Sequence, residues 1–200
     1  MANFDMDWGQ IKEVGTGGNV DFLKLQPGEN RMRIVGKHSL IEIHWEKGLD
    51  GQTKKVICVG SGCPICKAGH APQRRYQIKV IDRTDAVVKI LEGGATVFNA
   101  IRAYAMDPDY GDPTRYDIKI KKEGSGRETK YTVVASPKQS ELTDEEARKV
   151  DESKSLAEIN KPKSIEEIMQ MGLEVLSDSL MDLGAEDDMG DFGDDDWEGL

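Results

Sequence analysis

No stretch of this 200-residue chain approaches the roughly 20 consecutive apolar residues that a membrane-spanning helix needs. Its opening Met1-Ala2-Asn3-Phe4-Asp5 also lacks the basic-then-apolar plan of a secretory signal. A soluble protein of the cytoplasm, with no membrane partner, is expected. Cysteine is scarce. Cys58, Cys63 and Cys66 are the only three, and an odd number packed within one short segment argues against a disulfide framework and fits reduced thiols. Hydrophobic residues make up 38% of the chain, which is low for a polypeptide folded from end to end, so one core with appendages is expected. There is no internal repeat, no Ser/His/Asp grouping, no phosphate loop and no metal-carboxylate motif. A binding protein is expected rather than an enzyme.

Basic residues are missing from the last 19 positions, where Asp182, Glu186, Asp187, Asp188, Asp191, Asp194, Asp195, Asp196 and Glu198 accumulate before the chain ends at Leu200. That tail hides a basic body. Between Phe22 and Lys138 there are 21 Lys and Arg against 13 Asp and Glu, although the whole chain carries a formal charge of −10. A basic body with an acidic end suggests a polyanion-binding surface whose own terminus competes for it. Trp197 within that end is poor solubility design but a suitable anchor for a partner pocket. Asp194, Asp195, Asp196, Trp197 and Leu200 are therefore the candidate partner-binding residues.

Alternating or β-branched runs bounded by turn residues fill the middle: 31–35, 40–45, 54–59, 76–81, 87–91, 116–120 and 130–135. The body is mainly β, within an α+β chain. Asp50-Gly51 supplies the positive φ of a tight hairpin, and Gly124-Ser125-Gly126 serves a second one. Along 116–121, Tyr116, Ile118 and Ile120 point one way, while Asp117, Lys119 and Lys121 make the opposite face cationic. The spacing of Val97, Ile101 and Ala105 predicts a helix over 96–105. Thr143 with Glu146, and Ser164 with Glu167, read as capping boxes that open two further helices. The stripe Ile165, Ile168, Met169, Leu173, Leu176, Leu180 of the second is expected to cover the β body. These features divide the chain into a flexible segment 1–21, a body 22–138, a helical extension 139–181 packing on it, and a disordered tail 182–200.

Cys58 and Cys63-Pro64-Ile65-Cys66 put three soft ligands on one glycine-bearing loop, and the two-residue gap lets both of its sulfurs reach a single tetrahedral ion. His44 or His70 can complete the set. The Asp50-Gly51 hairpin favours His44, because it folds that strand back beside the one leading to Cys58. Three cysteines and one histidine fit a closed structural zinc site, which adds folding stability and leaves no open position for water. A glutaredoxin-like Cys-Pro-x-Cys site instead needs an early βαβ turn and leaves Cys58 idle. Three buried thiols without metal are the remaining alternative.

Single-stranded nucleic acid needs cations for phosphates and flat side chains for bases. Candidate cations are Arg33, Lys37, Lys54, Lys55, Arg74, Arg75, Lys79, Arg83, Lys119, Lys121, Lys122 and Lys130. Candidate stacking platforms are Trp45, Tyr76, Tyr116 and Tyr131. Arg74-Arg75-Tyr76, directly after the cysteine loop, is the most concentrated combination.

From Asn30 to Ala135 the pattern resembles the zinc-containing single-stranded DNA-binding, or helix-destabilising, proteins of tailed bacteriophages of the T-even type. The residues that carry the likeness are Ile43-His44-Trp45-Glu46-Lys47, then Asp50-Gly51, Cys58 and Cys63-Pro64-Ile65-Cys66, with 116–124 and 130–133 similar to that family's closing strand pair. The resemblance implies an OB-type barrel with His44, Cys58, Cys63 and Cys66 on one zinc ion. It also implies a basic, aromatic cleft for single-stranded DNA, and an acidic tail that recruits helicase, primase, polymerase or recombinase during phage replication, recombination and repair. The family's basic N-terminal arm, which drives self-association, has no counterpart in residues 1–21, where Lys12 is the only cation. A zinc-ribbon adaptor that docks other proteins through Trp197 and the 165–180 stripe is the rival reading.

Overall fold

A computed structural model describes residues 21–177, so the expected tail contacts and most of the 1–21 segment lie outside the described residues. The elements run β1 (Asp21–Phe22), β2 (Gly28–Ile34), β3 (Ser39–Lys47), β4 (Thr53–Ile57), α1 (Pro64–Lys67), β5 (Gln73–Asp82), β6 (Val87–Gly93), α2 (Ala95–Met106), β7 (Tyr116–Glu123), β8 (Lys130–Gln139), α3 (Asp144–Glu152), α4 (Leu156–Ile159) and α5 (Ile165–Met169). No helix among the described residues is long and apolar enough to cross a membrane.

The sheet order is β1-β6-β5-β2-β7-β8, with the β3–β4 pair off this path. That is an open order. Among the described residues no pairing joins β1 to β8, so the sheet is open and mixed and closure of the expected OB-type barrel is not shown; β1 contributes only two residues, pairing parallel to β6. Contacts separate the chain into two units. Among the described residues one takes 21–41 together with Arg74–Lys161; the other takes Glu42–Gln73 and 162–177.

The first unit's core forms where strand alternation meets the apolar side of α2. Met32, Ile34, Ile78, Val80, Leu91, Ile118 and Ile120 turn one face inward against Val97, Phe98 and Ile101. α3 and α4 each open on a complete capping box, Thr143 with Glu146 and Ser155 with Glu158, the second of which the sequence reading did not single out.

The second unit is a β3–β4 hairpin, the cysteine loop and the C-terminal segment. Gly51, at φ 77°, makes the hairpin turn. The Ser164–Glu167 capping box forms as expected, but α5 stops after five residues and Gly172 at φ 59° redirects the chain. The apolar stripe therefore does not run as one helix. Within this unit Ile168, Leu173 and Leu176 are buried against Val56 of β4 and against Cys63 and Ile65 of the cysteine loop.

Candidate metal centre and nucleic-acid interface

The hairpin aligns His44 with Val56, and its ladder extends by a 2.8 Å bond from the Cys58 amide to the Glu42 carbonyl. Cys58 therefore emerges beside the histidine strand. A tight turn over Gly60–Gly62 then leads into α1, with Cys63 at its N-cap and Pro64 in the first turn, a position where a missing N–H does no harm. One turn of helix places Cys66 beside Cys63.

The result is a cluster in which one ligand atom from each of His44, Cys58, Cys63 and Cys66 lies within 4.8 Å of all the others. Individual separations are 3.6 Å between the sulfurs of Cys58 and Cys66, and 3.5 Å from His44 Nε2 to the sulfurs of both Cys63 and Cys66. Zinc–sulfur bonds of about 2.3 Å at tetrahedral angles would set sulfurs roughly 3.8 Å apart, close to this spacing. The donor set could hold a metal ion such as zinc. Without one, burial and the neighbouring Cys58 and Cys63 thiols push Cys66 up to about 12. Burial also raises Cys63, but backbone hydrogen bonds at Cys66, Val59 and Ile65 more than offset it and leave that thiol below its ordinary value. Burial likewise lowers His44, keeping the imidazole in the neutral form a metal requires.

His70 is not part of the cluster. Its Nδ1 pairs with the buried Glu46 carboxylate at 2.9 Å, a contact the sequence reading missed. His44 Nδ1 is buried and has no hydrogen-bond partner among the described residues, so Nε2 is the nitrogen facing the sulfurs. The Cys-Pro-Ile-Cys segment follows an antiparallel hairpin and opens a helix of only four residues, unlike the βαβ turn of a glutaredoxin-like site.

The predicted binding residues separate into several environments. Tyr116 is fully buried, its hydroxyl bonded to the Gly111 carbonyl, so it is a core residue and not a stacking platform. Burial, then Asp112 and Asp107, push its phenol up to about 12. Arg33 is also buried, at 1% exposure, donating to Asp117 and to the Ser140 carbonyl and hydroxyl. Asp117 was expected on the cationic outer face, but it is a buried carboxylate shared by Arg31, Arg33 and Arg83. The only sequence hint was an acid amid lysines. Lys79 and Arg83 are partly covered by the segment around α3.

Other cations are tied locally. Lys54 bonds the Met171 carbonyl and Asp50, Lys119 pairs with Glu29, Lys121 with Glu123, and Lys122 bonds the Leu25 carbonyl. Lys37 is half-buried, whereas Arg74 and Lys130 are exposed. Trp45, 45% exposed, carries the Lys55 ammonium 5.8 Å from its ring centre, and Tyr131 is 39% exposed opposite Lys122 on the β7–β8 ladder. Beside Arg74 and Arg75, the half-buried Tyr76 stacks on Phe98 at 5.3 Å, with the His38 ring centre 6.3 Å away and tilted.

This chain resembles a phage protein. It is 26% identical over 151 residues to a "Probable ssDNA-binding protein" of Escherichia phage T5, a match covering 63% of this chain and 58% of that protein. The chain thus aligns with a little over half of its relative's length. No family model and no solved structure matches it.

Proposed function

We propose that this protein binds single-stranded DNA with little sequence preference and performs no catalysis. The observation that carries the reading is its likeness to the phage T5 protein. The exposed Trp45 with Lys55, and the run Arg74-Arg75-Tyr76, add the side chains such binding requires. Phosphates would meet Lys37, Lys54, Lys55, Arg74, Arg75, Lys119, Lys121, Lys122 and Lys130, and bases would meet Trp45, Tyr76 and Tyr131. One zinc ion on His44, Cys58, Cys63 and Cys66 would hold the hairpin loop and the C-terminal segment together. The protein would guard single strands during phage replication, recombination and repair in the bacterial host. Its tail would bind partner proteins through Asp194, Asp195, Asp196, Trp197 and Leu200.

Titration with oligo-dT while following tryptophan fluorescence tests this reading. Quenching that is lost in Trp45→Phe is expected; no change with any oligonucleotide would overturn it. The adaptor reading has less support, because Ile168, Leu173 and Leu176 of its docking stripe are buried within their own unit.

A further inference from the structure

Along β5, Arg75, Gln77 and Lys79 alternate onto one face. The face continues laterally, since Arg33 on β2 pairs with Ile81 on β5 and with Asp117 on β7. Arg83, just past the strand, joins Arg31 and Arg33 on that one carboxylate. The guanidiniums of Arg75, Arg31, Arg33 and Arg83 and the Lys79 ammonium thus share a row with Asp117 and, on β6, Glu92, which accepts from Gln77 at 2.6 Å. Further partners come from residues 143–160. Glu146 of α3 pairs with Arg83; Ser153 and the Val150 and Lys154 carbonyls at the end of α3 accept from Lys79; Asn160 donates to Gln77 at 2.6 Å.

This cover is weakly held by apolar contact. None of the nine residues of α3 is buried, and only the half-buried Leu142 and Val150 reach Val35, Ile81 and Val88. Burial lowers Lys79 from its ordinary value despite Asp151 and Glu158 nearby, so its ammonium is more comfortable where solvent or a full anion can reach it. Glu146 places a carboxylate where a phosphodiester would offer the same charge and similar acceptors to a guanidinium.

We propose that residues 143–160 form an acidic strap over a second strand-binding row, and that single-stranded nucleic acid displaces the strap to bind Lys79 and Arg83. This rests on the single-strand-binding reading above. Displacement would extend the row begun at Arg75 along the length of β5. Arg33 and Asp117 would stay in place as its buried support.

Hydrogen-exchange mass spectrometry on the full chain, with and without saturating oligo-dT, tests this without any substitution. Amides of 144–159 should lose protection on binding while those of β7 keep theirs. A second arm compares Glu146→Gln with Glu152→Gln, which removes the same charge from the same helix at a residue whose ion pair, among the described residues, is with Arg148. The first should tighten oligo-dT binding about three- to tenfold at low salt, the range expected from losing one ion pair that holds a competing state, and the second by under about twofold. Strap protection that is unchanged or increased by bound oligonucleotide, or equal effects of the two substitutions, would overturn the strap while leaving strand binding intact. No binding by the unaltered chain would overturn both.

Discussion

Replacing the Asp117 carboxylate by an amide would leave the guanidiniums of Arg31, Arg33 and Arg83 around a neutral group, with Arg33 buried. Breaking such a buried network from one side costs about 3 to 5 kcal/mol, so Asp117→Asn should shift the urea midpoint strongly downward. A variant as stable as the parent would show that the network contributes little. Burial raises the Asp117 carboxyl, but its hydrogen bond from Arg83 and the charges of Arg33, Arg83 and Arg31 outweigh this and hold it below its ordinary value of 3.8. A carboxyl lowered in the folded state contributes stability above its unfolded value and loses it as pH falls through its folded one. Acid unfolding by this group should therefore begin near pH 3.8 and grow below it, and Asp117→Asn should flatten that limb of a stability–pH curve. Alternation along 116–121 correctly marked Tyr116, Ile118 and Ile120 as one face. It could not reveal that the other face would be buried at Asp117, because that depends on Arg31, Arg33 and Arg83 arriving from distant strands.

At the level of elements, local pattern was the reliable guide. β3 was expected over 40–45 and spans Ser39–Lys47; α2 was expected over 96–105 and spans Ala95–Met106. Period-2 alternation, the Asp50-Gly51 turn and the capping boxes act within a few residues, so sequence alone reveals them. Which residues the 165–180 stripe would meet was not legible. A stripe records that a face is buried but not what buries it, and here the partners are Val56 of β4 and the cysteine loop. The packing of Ile168, Leu173 and Leu176 on Cys63 and Ile65 makes the C-terminal segment depend on that loop's geometry. With zinc bound at the cluster as proposed, its chelation should therefore speed amide exchange over 165–176 by roughly tenfold or more and leave β7 unchanged. Protection at 165–176 that survives complete metal removal would show that the apolar contacts suffice alone.

For the whole molecule, the formal charge of −10 is a misleading average, because acids concentrate in the last residues while the body is basic. Deleting residues 182–200 should tighten oligonucleotide binding at low salt, where a competing acidic segment is least screened, and have little effect at high salt. Equal affinity of the two forms at low salt would remove tail competition from the picture. The most direct test of strand binding is fluorescence anisotropy of labelled oligo-dT, titrated at low and moderate salt with unlabelled duplex as competitor. Tight binding that weakens with salt and that duplex fails to displace is the expected result. No binding at either salt, or displacement by duplex as readily as by single strands, would contradict it.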